Sequence, residues 1–297
     1  MSKEIFNTDH LFAGVPFHDR QCRFDSNILE QKVKDLIAER LENKDHIISA
    51  EITSPKVSSK CHTFVVAKMK ANINAPPTIF RSYIVQGEPR TRCPIWEAAR
   101  ATTAAPTFFK SMSIGTPPIQ YVDGGLGANN PSRLALRECR SIWGPDTKVC
   151  LLSIGTGHQR ATSVVNESQL ETNFETQQSM FQAIRSSLSL EASRIPVWKT
   201  AKNIPAGVLA LLKMANALQS VATDTESIHE TLQSEAEGKF PYFRFNVERD
   251  VGDIGFQDWK KQHALTTNTI AYLRTQDSKK KKVECVKGLI DPLQFYG

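Results

Sequence analysis

Residues 119–131 read IQYVDGGLGANNP: an apolar run stops on Asp123, and Gly124 and Gly125 follow it directly. A carboxylate placed this way can take a proton from a hydroxyl or a water, provided that group can come close. Gly124, Gly125 and Gly127 favour such an approach, because they lack a Cβ and tolerate positive φ. The plainer reading is a tight turn that closes a strand, and the tripeptide alone leaves both readings open. An unpaired buried charge is costly, so the acid should be hydrogen-bonded or partly solvated.

Few other groups compete for chemistry. His158 follows SIGTG (153–157), where a strand-end histidine could serve a nucleophile, or could simply be a loop residue. Cys61-His62 and Cys93 are thiol candidates, but nothing in the sequence orients them, and Cys61 opens a strand-like run. SIGTG has two glycines but no lysine after them, unlike a phosphate-binding P-loop. Arg81, in FRSY (80–83), fits a structural pairing with a carboxylate better than a catalytic step. The six cysteines are scattered, with no CxxC pair and no metal-ligand spacing, so neither a metal nor another cofactor is expected. Their usage fits a reducing, cytoplasmic setting with the thiols acting as small hydrophobes.

The elements that must position Asp123 alternate along the first half. NILEQKVKDLIAERL (27–41) has the apolar spacing of an amphipathic helix, and CHTFVVAKM (61–69) and TIFRSYIV (78–85) read as strands. PIWEAARATTAAP (94–106) reads as a helix bounded by prolines, and IQYV as a strand. A helix follows from about Asn130 and Pro131. KVCLLSIGTG (148–157) is continuously apolar, as expected of a central strand covered on both faces. From about 160 to 235 the pattern is mostly helical, and the apolar stretch 195–220 reads as packing surface or as a lipid-contact face. YFRFNV (242–247) is a late strand, and 257–276 a final helix. Strands alternating with helices argue a layered α/β fold. No linker divides the chain: 1–160 forms an α/β core with the Asp123 turn, and 161–297 a helical remainder that is not an independent domain.

Composition narrows the function classes. With 40% apolar and 23% charged residues, the 297-residue chain is ordinary globular material, long enough for a substantial core. No apolar run reaches the roughly 20 residues of a membrane span, and the first residues lack a signal-peptide pattern. The net charge of +6 is locally concentrated in Lys279, Lys280, Lys281 and Lys282. That run reads as a solvated helix edge or loop, and its functional alternative is contact with anionic lipid headgroups. No nucleic-acid signature accompanies it, so nucleic acid is set aside.

Five blocks in order, CHTFVVAKM, FRSY, IWEAARATTAAPTFF (95–109), YVDGGLGANNPSRLALRE (121–138) and CLLSIGTG (150–157), resemble the patatin-like phospholipase family, in its fungal form. The resemblance covers most of residues 1–160 and, more loosely, the rest. It implies a three-layer α/β patatin-like fold and a lipid acyl hydrolase of phospholipase A or lysophospholipase type. Family members use a serine–aspartate dyad without a histidine: the serine lies in a GxSxG elbow, the aspartate in a DG[GA] motif. Asp123 matches the dyad aspartate as proton acceptor, and Gly124 and Gly125 complete its motif. Phospholipid or another acyl lipid is the implied substrate, met from the cytoplasm with peripheral membrane contact through the lysine run.

A serine hydroxyl becomes a nucleophile when a base takes its proton, and donors at the developing oxyanion contribute about 10²–10³ in rate each. The 297 residues contain neither a G-x-S-x-G nor a GGGxR segment. In family order both precede the region where this chain begins, so the expected fold lacks its first βα units and exposes a hydrophobic sheet edge. Three readings follow: a hydrolase whose activity belongs to a longer ancestor, a non-catalytic remnant that binds lipid or protein, and an incomplete gene model.

Overall fold

The computed structural model describes residues 2–6, 22–41, 45, 47–48, 61–89, 92–106, 108–157, 225–247, 254 and 258–291. Ser2–Ile5 (α1) and Ser26–Leu41 (α2) precede the strands Phe64–Met69 (β1) and Thr78–Arg81 (β2). Ile95–Thr102 (α3) leads to Met112–Ile114 (β3) and Ile119–Asp123 (β4), which pair as an antiparallel hairpin. A short turn of helix, Gly125–Ala128 (α4), precedes Ser132–Trp143 (α5) and Leu151–Ile154 (β5). Helical residues 225–236 (α6), the strand Tyr242–Phe245 (β6), and the helices Gln262–Arg274 (α7) and Gln276–Ile290 (α8) complete the described chain.

β1 is the organising strand. It pairs with β2 on one side and β4 on the other, giving the antiparallel order β2-β1-β4-β3. Alternation along the strands sorts the side chains. Ala67, Phe80, Ile114 and Tyr121 form one buried face, and α3 covers it with Ala98 and Ala101. Those alanines let the helix lie close to the sheet, and α2 packs outside α3. Arg81, next to Phe80, points to the other face, where Glu138 of α5 receives it. Helices thus meet the sheet from both sides, the layered α/β arrangement expected from the sequence.

A second cluster (Ile5, Phe24, Leu29, Phe108 and Phe109) ties the chain start to the segment after α3. A third, Leu136, Leu151, Leu232, Ala236 and Phe240, gathers α5, β5 and α6. β5 and β6 pair in parallel, so two strands far apart in the chain make one two-stranded sheet.

Several expectations are corrected. Residues 148–157 yield only the four-residue β5, and it is not covered on both faces: Leu151 and Ser153 are buried, whereas Leu152 is 41% exposed and Ile154 76%. An apolar run shows that burial is favoured but cannot show what arrives to provide it. β2 stops at Arg81 instead of 85. The expected helix 257–276 is a short 3₁₀ turn and α7, interrupted at Thr275. Thr275 takes extended dihedrals and its hydroxyl accepts the Ser278 N–H at 3.3 Å, so it caps a new helix, α8. The lysine run lies in α8. His158, the stretch 195–220 and most of the expected helical region lie outside the described residues.

Candidate active site

Asp123 is the last residue of β4, and opposite it on β1 stands Ala67, whose small side chain leaves room beside the acid. Its backbone N–H donates to the Ala104 carbonyl at 3.0 Å, so the turn after α3 holds the strand end. Its Oδ1 accepts the Gly125 N–H at 2.6 Å. Among the described residues, Oδ2 accepts no hydrogen bond. Burial raises the carboxyl above the ordinary aspartate pKa, and the Gly125 N–H only partly counters this. The result is a partly buried carboxylate, anchored by one oxygen, with no cation among the described residues to weaken its basicity.

The glycines have separate tasks. A Cβ on Gly124 would lie 2.1 Å from the Val66 carbonyl oxygen and 2.6 Å from its carbon, so the turn passes directly against β1 backbone. That carbonyl is held by the Thr102 hydroxyl, which donates to it at 2.6 Å. A Cβ on Gly125 would lie 3.0 Å from Asp123 Oδ1. Positive φ, expected to be available to all three, is used only by Gly127, at +111°. Gly124 is therefore required for close approach and not for backbone conformation.

Downstream, a buried polar chain fixes the entry to α5. Arg244 Nη1 donates to Ser153 Oγ at 2.8 Å, and the Ser153 and Ser132 hydroxyls lie 2.9 Å apart. Ser132 in turn donates to Asn130 Oδ1 at 2.6 Å, and Asn130 Nδ2 donates to the Thr225 carbonyl at 3.1 Å. This chain ties α5 and β5 to β6 and to the start of α6. Sequence reasoning missed it, since ordinary serines, asparagines and an arginine carry no pairing signal. It also missed Thr102 and Ala104, although the small-residue run containing them was the available clue.

The competing candidates find other roles. Arg81 donates to Glu138 through Nε and Nη2, the latter at 2.8 Å, and Tyr83 donates to the same carboxylate at 2.9 Å. This is the structural pairing expected of Arg81. Cys93 is buried and its thiol is pushed up to about 12 by burial, which makes it inert. Cys61 is exposed, and the His62 ring packs against Tyr83 and Trp143 rather than serving the thiol. In SIGTG the Gly155 N–H donates to the Phe245 carbonyl and the Gly157 N–H to Asn246, so neither points to a phosphate. Two of the four lysines are engaged by the protein: Lys281 donates to the Arg244 carbonyl at 3.2 Å and Lys282 to that of Leu273 at 3.0 Å. Among the described residues, no helix is long and apolar enough to cross a membrane, and no cluster of three or more metal-ligating side chains forms.

Comparison with known proteins points the same way. Residues 5–136 match the patatin-like phospholipase family. The chain is 33% identical over 300 residues to calcium-independent phospholipase A2-gamma of Mus musculus, covering 95% of this chain and 31% of that protein. It is 28% identical over 171 residues to patatin-like protein 2 of Arabidopsis thaliana, covering 50% of this chain and 42% of that one. Phospholipase A I of the same plant is 44% identical over 64 residues, which is 21% of this chain and 5% of that protein. The chain thus spans about a third of the length of the first of these relatives. The Asp123 turn, its flanking helix and its strand all lie inside residues 5–136, the part of this chain that matches the patatin-like phospholipase family as a domain.

Proposed function

We propose that Asp123 is the general base of a serine–aspartate dyad in a lipid acyl hydrolase, with a phospholipid or related acyl lipid as substrate. The observation that carries this reading is the carboxylate itself: partly buried, held through Oδ1 by Gly125, and with Oδ2 accepting no hydrogen bond from any described residue. A serine hydrogen-bonded to Oδ2 would pass its proton to the carboxylate as it attacks the ester carbonyl. The relatives' names, phospholipase A2-gamma and phospholipase A I, support the substrate class.

These 297 residues offer no G-x-S-x-G and no GGGxR, so the nucleophile and the oxyanion donors come from outside them. By itself the chain forms no acyl-enzyme. Leu152 and Ile154 leave one face of β5 exposed, which is compatible with a further layer packing there. We read 1–297 as one partial domain, since β6, within 161–297, pairs with β5, within 1–160. The six free cysteines support a reducing, cytoplasmic setting, from which the protein reaches a lipid surface peripherally.

The test is reconstitution. A segment of a related hydrolase carrying GGGxR and GxSxG is fused ahead of Met1 or co-expressed, and release of fatty acid is measured. Activity is expected from the combination and not from the chain alone. In the combination Asp123→Asn should lower turnover by about 10²–10⁴ with the fold intact, and His158→Ala should change little. Hydrolysis by the unmodified chain with labelling by a fluorophosphonate, or an active Asp123→Asn combination, refutes the assignment.

A further inference from the structure

The helix α8 carries an apolar seam on the side turned away from the protein. Its buried line is Ser278, Cys285 and Gly288. At 3.6 residues per turn, Val283, Val286 and Ile290 share another face, well round the helix from that line. They are 56%, 52% and 79% exposed, in a helix otherwise rich in charge. Of the exposed lysines, Lys279 stands one turn before Val283 on the seam's own line, and Lys280 flanks that line on one side. The helix holds five lysines against two acids, Asp277 and Glu284. An exposed apolar stripe bordered by lysines fits an anionic lipid surface, with the stripe entering the headgroup–acyl boundary and the ammoniums meeting phosphates. A second copy fits poorly, because seam-to-seam packing would bury the Lys279 ammonium, which lies on the seam's own line, against apolar side chains.

We propose that α8 is an interfacial docking helix for anionic phospholipid bilayers, seated through Val283, Val286 and Ile290 and oriented by Lys279 and Lys280. It deepens the lipid-surface part of the functional reading and is independent of the role of Asp123, because binding is read without hydrolysis. Lys281 and Lys282, whose ammoniums already meet backbone carbonyls, are secondary.

The 297-residue chain is floated with vesicles of phosphatidylcholine alone and of phosphatidylcholine with phosphatidylserine. Binding is expected to the anionic vesicles, weakening as salt rises from 0.1 M to 1 M and the screening length falls from about 10 Å to about 3 Å. Lys279→Gln with Lys280→Gln should weaken it about 30-fold. Val283→Ser, Val286→Ser and Ile290→Ser together should weaken it by on the order of 10-fold, with an unchanged circular dichroism spectrum. The lysine variant alters only exposed polar tips, so it tests the helix even if the apolar variant misfolds. Binding to neutral vesicles as strong as to anionic ones, parental binding by the lysine variant, or no binding by the parent would each overturn the proposal. A dimer in size-exclusion chromatography that the apolar variant abolishes would assign the seam to a second copy instead.

Discussion

Replacing Gly124 by alanine tests whether the strand-to-turn passage depends on contact or on backbone conformation. Gly124 has φ −67°, which any residue adopts, so alanine meets no conformational penalty there. Its Cβ would instead stand 2.1 Å from the Val66 oxygen, where real contacts begin at about 3.0 Å. Strand β1 and the turn must therefore part by about 0.9 Å. The atoms struck are backbone, and Thr102 holds the same carbonyl at 2.6 Å, so no flexible side chain can yield. Overpacking of this kind costs about 3 kcal/mol or more. Gly127→Ala has the converse problem: φ is +111° but the nearest atoms, at the end of Lys68, are 3.6 Å away. That left-handed strain costs about 1–2 kcal/mol. Urea unfolding followed by circular dichroism separates the two, because at a slope of about 3 kcal/mol/M the first shifts the midpoint by roughly 1 M or more and the second by about 0.3–0.7 M. Equal shifts, or a larger loss at Gly127, would show that close approach is not what Gly124 provides.

Asp123→Asn should raise stability near pH 7 while removing the base. Burial lifts this carboxyl above its ordinary value of 3.8, so the folded state carries a penalty for ionising it that is full above the raised pKa and vanishes as pH falls below 3.8. A pH series of melts in which the variant never exceeds the parent would contradict this. Gly125→Ala should leave the melt within about 1 kcal/mol of the parent but disable the reconstituted hydrolase, because its Cβ presses on Asp123 Oδ1; full activity would show that the carboxylate needs no such precision. Glu138→Ala strands Arg81 in a buried site and should cost about 3 kcal/mol or more in urea unfolding. For Glu138, burial pushes the pKa up, but the bonds from Arg81 and Tyr83 outweigh it and leave a net lowering. The pair's contribution is therefore present above the ordinary carboxylate value of 4.5 and lost as pH falls through the depressed one, so the alanine variant should lose less stability on acidification. With maleimide at pH 8, Cys61 should label in the folded protein and Cys93 should not.

Local pattern was enough to find α2, β1, β4 and α5, because periodic apolar spacing and turn residues act over a few neighbours. It was also enough to single out Asp123, whose acid-after-strand position and glycine neighbours need no partner to be recognised. The four-residue β5 with one exposed face, the three-residue β3 and the break at Thr275 were not legible in the same way, since each depends on what the segment meets.

The sequence by itself determined the main elements around the turn, the family resemblance and the candidate acid, all of which reside in short stretches of adjacent residues. Only the tertiary structure decided why Gly124 must be glycine, since Val66 lies far away in the chain and reaches it through the β1–β4 pairing. It also decided that Arg81 serves Glu138, that the SIGTG amides serve β6, and that the second helix of the tail turns an apolar seam outward. Each of these depends on atoms from distant segments meeting within a few ångströms, and residue type alone does not encode which atoms will meet.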